Sequence, residues 1–181
     1  MIAKRCGATL IEVLISIAVT AVLSSMVILY GGASRTQMNL YVETVKFSQV
    51  LLRAKSLAIS LYGGSTLTCG YGVRIDQSGT YYSLFRYSLP EGDNIEKCRQ
   101  VDALDTGSPY YVEVQKYNLS PEVTFDTAQG TIDEVLFVPP DPKTKLWNGA
   151  SGVKESGNVV ITAGENSNRM ITVTTSGQVN Y

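Results

Sequence analysis

Residues 13–34, VLISIAVTAVLSSMVILYGGAS, form a run of 22 positions without one charged side chain. As a single helix this run is about 33 Å long, at about 1.5 Å per residue. That length matches a bilayer hydrocarbon core of about 30 Å. Lys4 and Arg5 precede the run and predict a cytoplasmic N-terminal side. A cleavable secretory signal has a shorter apolar core of about 7–15 residues. A plain signal anchor gives no reason for Glu12, which sits at the edge of the run. A carboxylate at that position costs about 2–3 kcal/mol on membrane insertion and is expected to have a partner.

The rest of the chain has a different character. The sequence has 181 residues and a formal net charge of −1. From residue 63 onward, nine basic residues face fourteen acidic ones, a net charge of −5. There is no histidine, which excludes Ser-His-Asp triads, Cys-His dyads and histidine-ligated zinc. Carboxylate pairs such as Asp102/Asp105 and Asp133/Glu134 read as solvated loop surface. Asp126, Asp133 and Asp141 have no ordered calcium-loop spacing. The expectation is a non-enzyme without metal or cofactor. Nucleic acid is not an expected partner either, because phosphate binding needs clustered cations and residues 169–181 contain one, Arg169.

Beyond Gly31-Gly32 the helical period resumes. One apolar stripe is Phe47, Leu51, Ala54, Ala58 and Leu61; a second is Met38, Tyr41, Val45, Leu52 and Ile59. A polar stripe runs through Arg35, Asn39, Glu43, Lys46, Gln49, Arg53, Ser56 and Ser60. So broad an apolar face must be covered, and the remaining chain is the natural cover. Gly63-Gly64 signals the helix end.

From there the period becomes two. Residues 67–75 (LTCGYGVRI) read as a strand with Leu67, Cys69, Tyr71, Val73 and Ile75 on one face. Asp76-Gln77-Ser78-Gly79 reads as a tight turn into a second strand, TYYSLFRYSL. Further strands are expected at 110–116, 123–126, 134–138, 158–162, 170–175 and 178–181, with a turn at Ser176-Gly177. Residues 90–109 and 139–157, rich in Pro, Gly and charge, read as loops. Asn118-Leu119-Ser120 fits the glycosylation acceptor pattern, one that arises often by chance.

The segment Gly7-Ala8-Thr9-Leu10-Ile11-Glu12, ahead of the uncharged run, resembles the N-terminal signal of type IV pilins and pseudopilins. Ala8 departs from the large apolar residue usual there. The resemblance implies a 1–7 leader cut by a prepilin peptidase between Gly7 and Ala8, with methylation of the new Ala8 amine. It assigns Glu12 to neutralising the N-terminus of a neighbouring subunit, which is physically sensible because an amine and a carboxylate in an apolar bundle compensate one another. Three later segments are similar to the FimT and H-type minor pseudopilin group. They are LRAKSLAI at 52–59, VLFVP at 135–139, and the closing NVVI, ITV and GQV of 158–179.

The fold this implies is α+β. A long N-terminal helix, membrane-spanning in its first half, packs against an antiparallel β-sheet head, which in the H-type members has two small sheets. The expected organisation is a leader at 1–7, a transmembrane and filament-core helix at 8–34, its amphipathic continuation at 35–62 and a β-rich head at 63–181. The implied partners are the prepilin peptidase, other pilin subunits, an inner-membrane assembly platform and, before extraction, membrane lipid. The head would lie in the periplasm or outside the cell. A single-pass anchored β domain that binds a ligand without polymerising is the alternative. With Cys6 assigned to the leader, Cys69 and Cys98 remain. An even count in an oxidising compartment favours one disulfide; two free thiols are the other reading.

Overall fold

The computed structural model describes residues 9–60, 68–90, 95–101, 104, 106–139, 143–149, 154–164 and 167–181, without the side chains of 27–34 and 95. Gly7, Ala8, the helix end at 61–64 and Asp102, Asp105 and Asp141 lie outside these residues. One helix, α1 (Leu10–Ser60), carries the first third of the chain. It starts where the Thr9 carbonyl accepts from the amides of Glu12 and Val13, at 3.0 and 3.3 Å.

Among the described residues the head has one short helix, α2 (Ile95–Arg99), and nine strands. These are β1 (Thr68–Ile75), β2 (Tyr81–Ser88), β3 (Tyr111–Asn118), β4 (Val123–Phe125), β5 (Glu134–Val138), β6 (Lys143–Trp147), β7 (Ser156–Ala163), β8 (Ser167–Thr174) and β9 (Val179–Asn180). They form two sheets, in the orders β3-β2-β1-β5-β6 and β4-β7-β8-β9. All pairings are antiparallel. The expected α+β layout, pilin-like, is therefore the observed one. The β1–β2 hairpin closes at the expected turn. There the Gly79 amide donates to the Asp76 carbonyl at 2.9 Å, and Gly79 takes a φ of 68°, a region that favours glycine.

Two clusters fill the head. The larger lies between α1 and both sheets and contains Phe47, Leu51, Ala54, Tyr82, Phe125, Ile161 and Ile171. Phe47 meets the Tyr82 and Phe125 rings edge-on, with centroids 5.0 and 5.2 Å away. The smaller lies on the opposite face of the five-stranded sheet and joins Cys69, Phe85, Cys98, Leu136 and Trp147. That sheet is thus covered on both faces, and β1 and β5 are buried almost throughout.

Four sequence expectations change. Two elements, α2 and β6, lie inside segments expected to be loop. Polar residues hide β6: Lys143 and Lys145 stand on the strand, yet Thr144, Leu146 and Trp147 are buried. Cys69 does not share the face of Tyr71, Val73 and Ile75. The β1–β2 register shifts between Thr68 and Gly70, and this bulge turns Cys69 into the second cluster. The second apolar stripe of α1 is not covered by the head. Met38, Tyr41, Leu52 and Ile59 are exposed and Val45 half-buried, because the sheets reach only the Phe47–Ala58 face. Glu43, placed on the polar stripe, is buried, with its Oε1 accepting from Lys46 Nζ at 3.0 Å and Ser120 Oγ at 2.8 Å.

Candidate functional site

The N-terminal part of α1 stands clear of the head. Every described side chain from 9 to 26 is exposed, Leu10 at 82% and Ile17 at 63% among them. Glu12 occupies the first turn. Ser16 and Thr20 follow it at intervals of four and turn their hydroxyls inward, Ser16 Oγ to the Glu12 carbonyl and Thr20 Oγ1 to the Ser16 carbonyl, both at 2.8 Å. These local bonds satisfy the hydroxyls without a partner helix and leave a narrow ridge of small groups below the carboxylate. The surrounding leucine, isoleucine and valine side chains each stand to gain about 1.5–3 kcal/mol on full burial. A helix apolar all round belongs in a bilayer or a protein core.

Among the described residues no helix is long and apolar enough to cross a membrane. The bilayer span expected over 8–34 is thus not seen in them. The apolar part whose side chains are described, 10–26, is about 25 Å long as a helix, short of the about 30 Å of a bilayer core.

Cys69 and Cys98 form a disulfide, with Cα atoms 5.2 Å apart and both residues fully buried. It ties α2 to β1 on the face of the sheet away from α1. The pairing expected from the cysteine count is present; the bulge that aims Cys69 at it is not legible in the sequence.

The head has a second feature that sequence reasoning left unassembled. A cleft of about 240 Å³ between the two sheets is lined by Asp76, Asp126 and Asp133 with Ile75, Phe125 and Val160. Each carboxylate caps a turn. Asp76 accepts from the Ser78 amide at 2.9 Å, Asp126 from the Ala128 and Gln129 amides at 3.0 Å each, and Asp133 from the Gly149 amide at 2.9 Å. The hydroxyl and amide of Ser78 hold Asp76 below the usual carboxylate range against its desolvation. No group of three His, Cys, Asp or Glu able to hold a metal occurs among the described residues. Next to the cleft, burial pushes Glu134 up to about 7, although Arg74 Nε, 3.1 Å away, favours its charged form.

A bare apolar helix headed by a carboxylate and docked by its other half on antiparallel sheets defines a pilin-like layout. Residues 2–28 match the model of the prokaryotic N-terminal methylation motif, the type IV pilin and pseudopilin signal. No curated protein and no solved structure matches the chain.

Proposed function

We propose that this protein is a structural subunit, a minor pilin or pseudopilin, of a type IV filament or type II secretion pseudopilus. A prepilin peptidase cuts between Gly7 and Ala8, and the Ala8 amine is methylated. The precursor sits in the bacterial inner membrane with its head on the periplasmic side, held by the helix of 8–34. Extraction by an assembly platform then exchanges lipid for the helices of neighbouring subunits. Glu12 meets the Ala8 amine of a neighbour, so two groups that are costly alone in an apolar bundle compensate each other.

The observation that carries this reading is the methylation motif at the head of a helix whose 9–26 side chains the rest of the protein leaves bare. The buried disulfide agrees with a head outside the cytoplasm. The segments at 52–59, 135–139 and 158–179 favour the FimT and H-type minor group. The work of such a subunit is packing rather than catalysis.

Mass spectrometry of the mature N-terminus tests the proposal. Methylated Ala8 is expected; an intact Met1, or a cut near Ser34, overturns it. Glu12→Ala should remain membrane-bound and fail to enter filaments.

A further inference from the structure

Strand register sets one polar row across the five-stranded sheet. Lys116 of β3 stands opposite Ser83 of β2, Ser83 opposite Arg74 of β1, Arg74 opposite Glu134 of β5, and Glu134 opposite Trp147 of β6. Directly opposed residues share a face of the sheet. Trp147 belongs to the second cluster, so the row lies on the face away from α1. Toward β3 this face carries an open cleft of about 230 Å³.

Arg74 and Ser83 line the cleft from the row itself, and Ser83 is 3% exposed. Tyr81 and Tyr111 add rings, Asp76 and Glu113 carboxylates, and Thr106 a hydroxyl. Most of these groups are held in advance. Arg74 Nε lies 3.1 Å from Glu134 Oε1. The Tyr111 ring stacks on Phe85 with centroids 4.8 Å apart, and Lys116 Nζ lies 3.3 Å from the Tyr81 centroid. Asp76 accepts from the Ser78 amide at 2.9 Å. Thr106 follows α2 on a segment with three anchors: the Cys69–Cys98 bond, the Val101 carbonyl accepting from Lys145 Nζ at 2.7 Å, and Leu104 packed on the second cluster. Groups fixed beforehand lose little freedom when a ligand arrives.

The donor set narrows the ligand. No aliphatic side chain lines the cleft among the described residues, so a hydrocarbon gains little there. Arg74 and Lys116 are matched by Asp76 and Glu113, and Arg74 is already paired with Glu134, which leaves no surplus cation for an anion. No group of three His, Cys, Asp or Glu able to hold a metal occurs among the described residues. What the cleft does offer is a close mixture: carboxylates that only accept, a guanidinium that only donates, and hydroxyls that do both. Two rings stand beside them, with faces that attract C–H groups. An uncharged molecule that donates and accepts around its whole rim and carries C–H faces is a sugar.

We propose that this cleft binds one neutral sugar ring, the terminal unit of a glycan. Asp76 and Glu113 accept from its hydroxyls, Arg74 and Thr106 donate to them, and the tyrosine rings take its C–H surface. The volume lies below the about 300–1,000 Å³ of drug-sized sites, so one ring fills it. The inference does not depend on the filament reading.

The test is saturation-transfer NMR on the full chain in a detergent without a sugar headgroup. The probes are the methyl glycosides of glucose, galactose, mannose and N-acetylglucosamine. At least one should bind with a Kd on the order of 1 mM. Glu113→Ala, at an exposed position, should weaken it about tenfold, since a charge-assisted bond is lost, and Glu113→Gln should recover part of the loss. Tyr81→Ala should weaken it as well. An unchanged Trp147 melting transition separates loss of the site from loss of fold; should Tyr81→Ala melt early, Glu113→Ala decides alone. Saturation transfer to none of the four glycosides overturns the proposal, and so does a Kd unmoved by Glu113→Ala. Displacement of the glycoside by inorganic phosphate or by N-acetylneuraminic acid at lower concentration than by the free sugar makes this an anion site and overturns it too.

Discussion

Phe47→Ala is the most informative single perturbation of the helix–head junction. The Phe47 side chain is 1% exposed and sits edge-on between Tyr82 and Phe125. Removing a ring so enclosed costs about 3–5 kcal/mol, the lost transfer energy plus a cavity bounded by two rings that cannot collapse far. For a chain of this size, each kcal/mol lowers Tm by about 2–4 °C, so a fall of about 10 °C is expected. Leu52 is the control: it lies on the same helix, is similarly apolar and is 52% exposed. Leu52→Ala should stay within about 0.5 kcal/mol of the parent. The assay is thermal or urea unfolding of the full chain in detergent, followed by the fluorescence of Trp147. That residue is the only tryptophan in the sequence and is buried in the second cluster. If Leu52→Ala cost as much as Phe47→Ala, the helix would be docked by its other stripe and the reasoning about both faces would be refuted. If Phe47→Ala left the Trp147 transition unmoved, α1 would not fold cooperatively with the head.

The Cys69–Cys98 bond closes a sequence separation of 29; the loop-entropy model makes it worth about 3–4 kcal/mol. Cys69→Ala with Cys98→Ala should show that loss in urea unfolding, and a reductant should reproduce it in the parent but change nothing further in the variant. Gly72 has no room for a side chain: a Cβ there meets the Val135 carbonyl oxygen and the Phe85 ring. Gly72→Ala should therefore cost about 3 kcal/mol or more, read as a lower urea midpoint; a parent-like midpoint would show that the sheet yields at this position. Glu134 gives a pH signature, since burial raises it from 4.5 to about 7. Between those values the folded protein keeps a proton that the unfolded chain releases. Its contribution is therefore fully present below about 4.5 and is lost as pH rises through 7. Melting curves should show Glu134→Gln flattening the decline in stability between pH 5 and 8; an unchanged slope would remove Glu134 as its source.

Much of this protein is local and so was legible. An uncharged run of 22 residues behind a basic head, with Glu12 in register with Gly7, needs no tertiary information to declare a long helix with an N-terminal signal. Period 3.6 over 35–60 and period 2 over the strands separate helix from head. The Asp76–Gly79 turn follows from one glycine and one side-chain cap. With Cys6 assigned to a leader, the two remaining cysteines pointed to the disulfide.

What the tertiary structure alone decided is which faces meet. Two apolar stripes on α1 were equivalent as sequence. The sheets reach one, because Tyr82 and Phe125 form a slot for Phe47 and no such slot faces Leu52. The bulge at Cys69 reverses a side chain that alternation placed on the helix face, and it reverses it toward Cys98. Glu43 reads as solvent-facing until Ser120, 77 residues away, supplies a half-buried hydroxyl. Trp147, in a stretch that reads as loop, becomes the wall of a second cluster, since a sheet covered on both faces no longer alternates. The sequence alone established the kind of molecule. Which of its surfaces are consumed by folding, and which are left for a neighbour, depended on contacts between residues far apart in the chain.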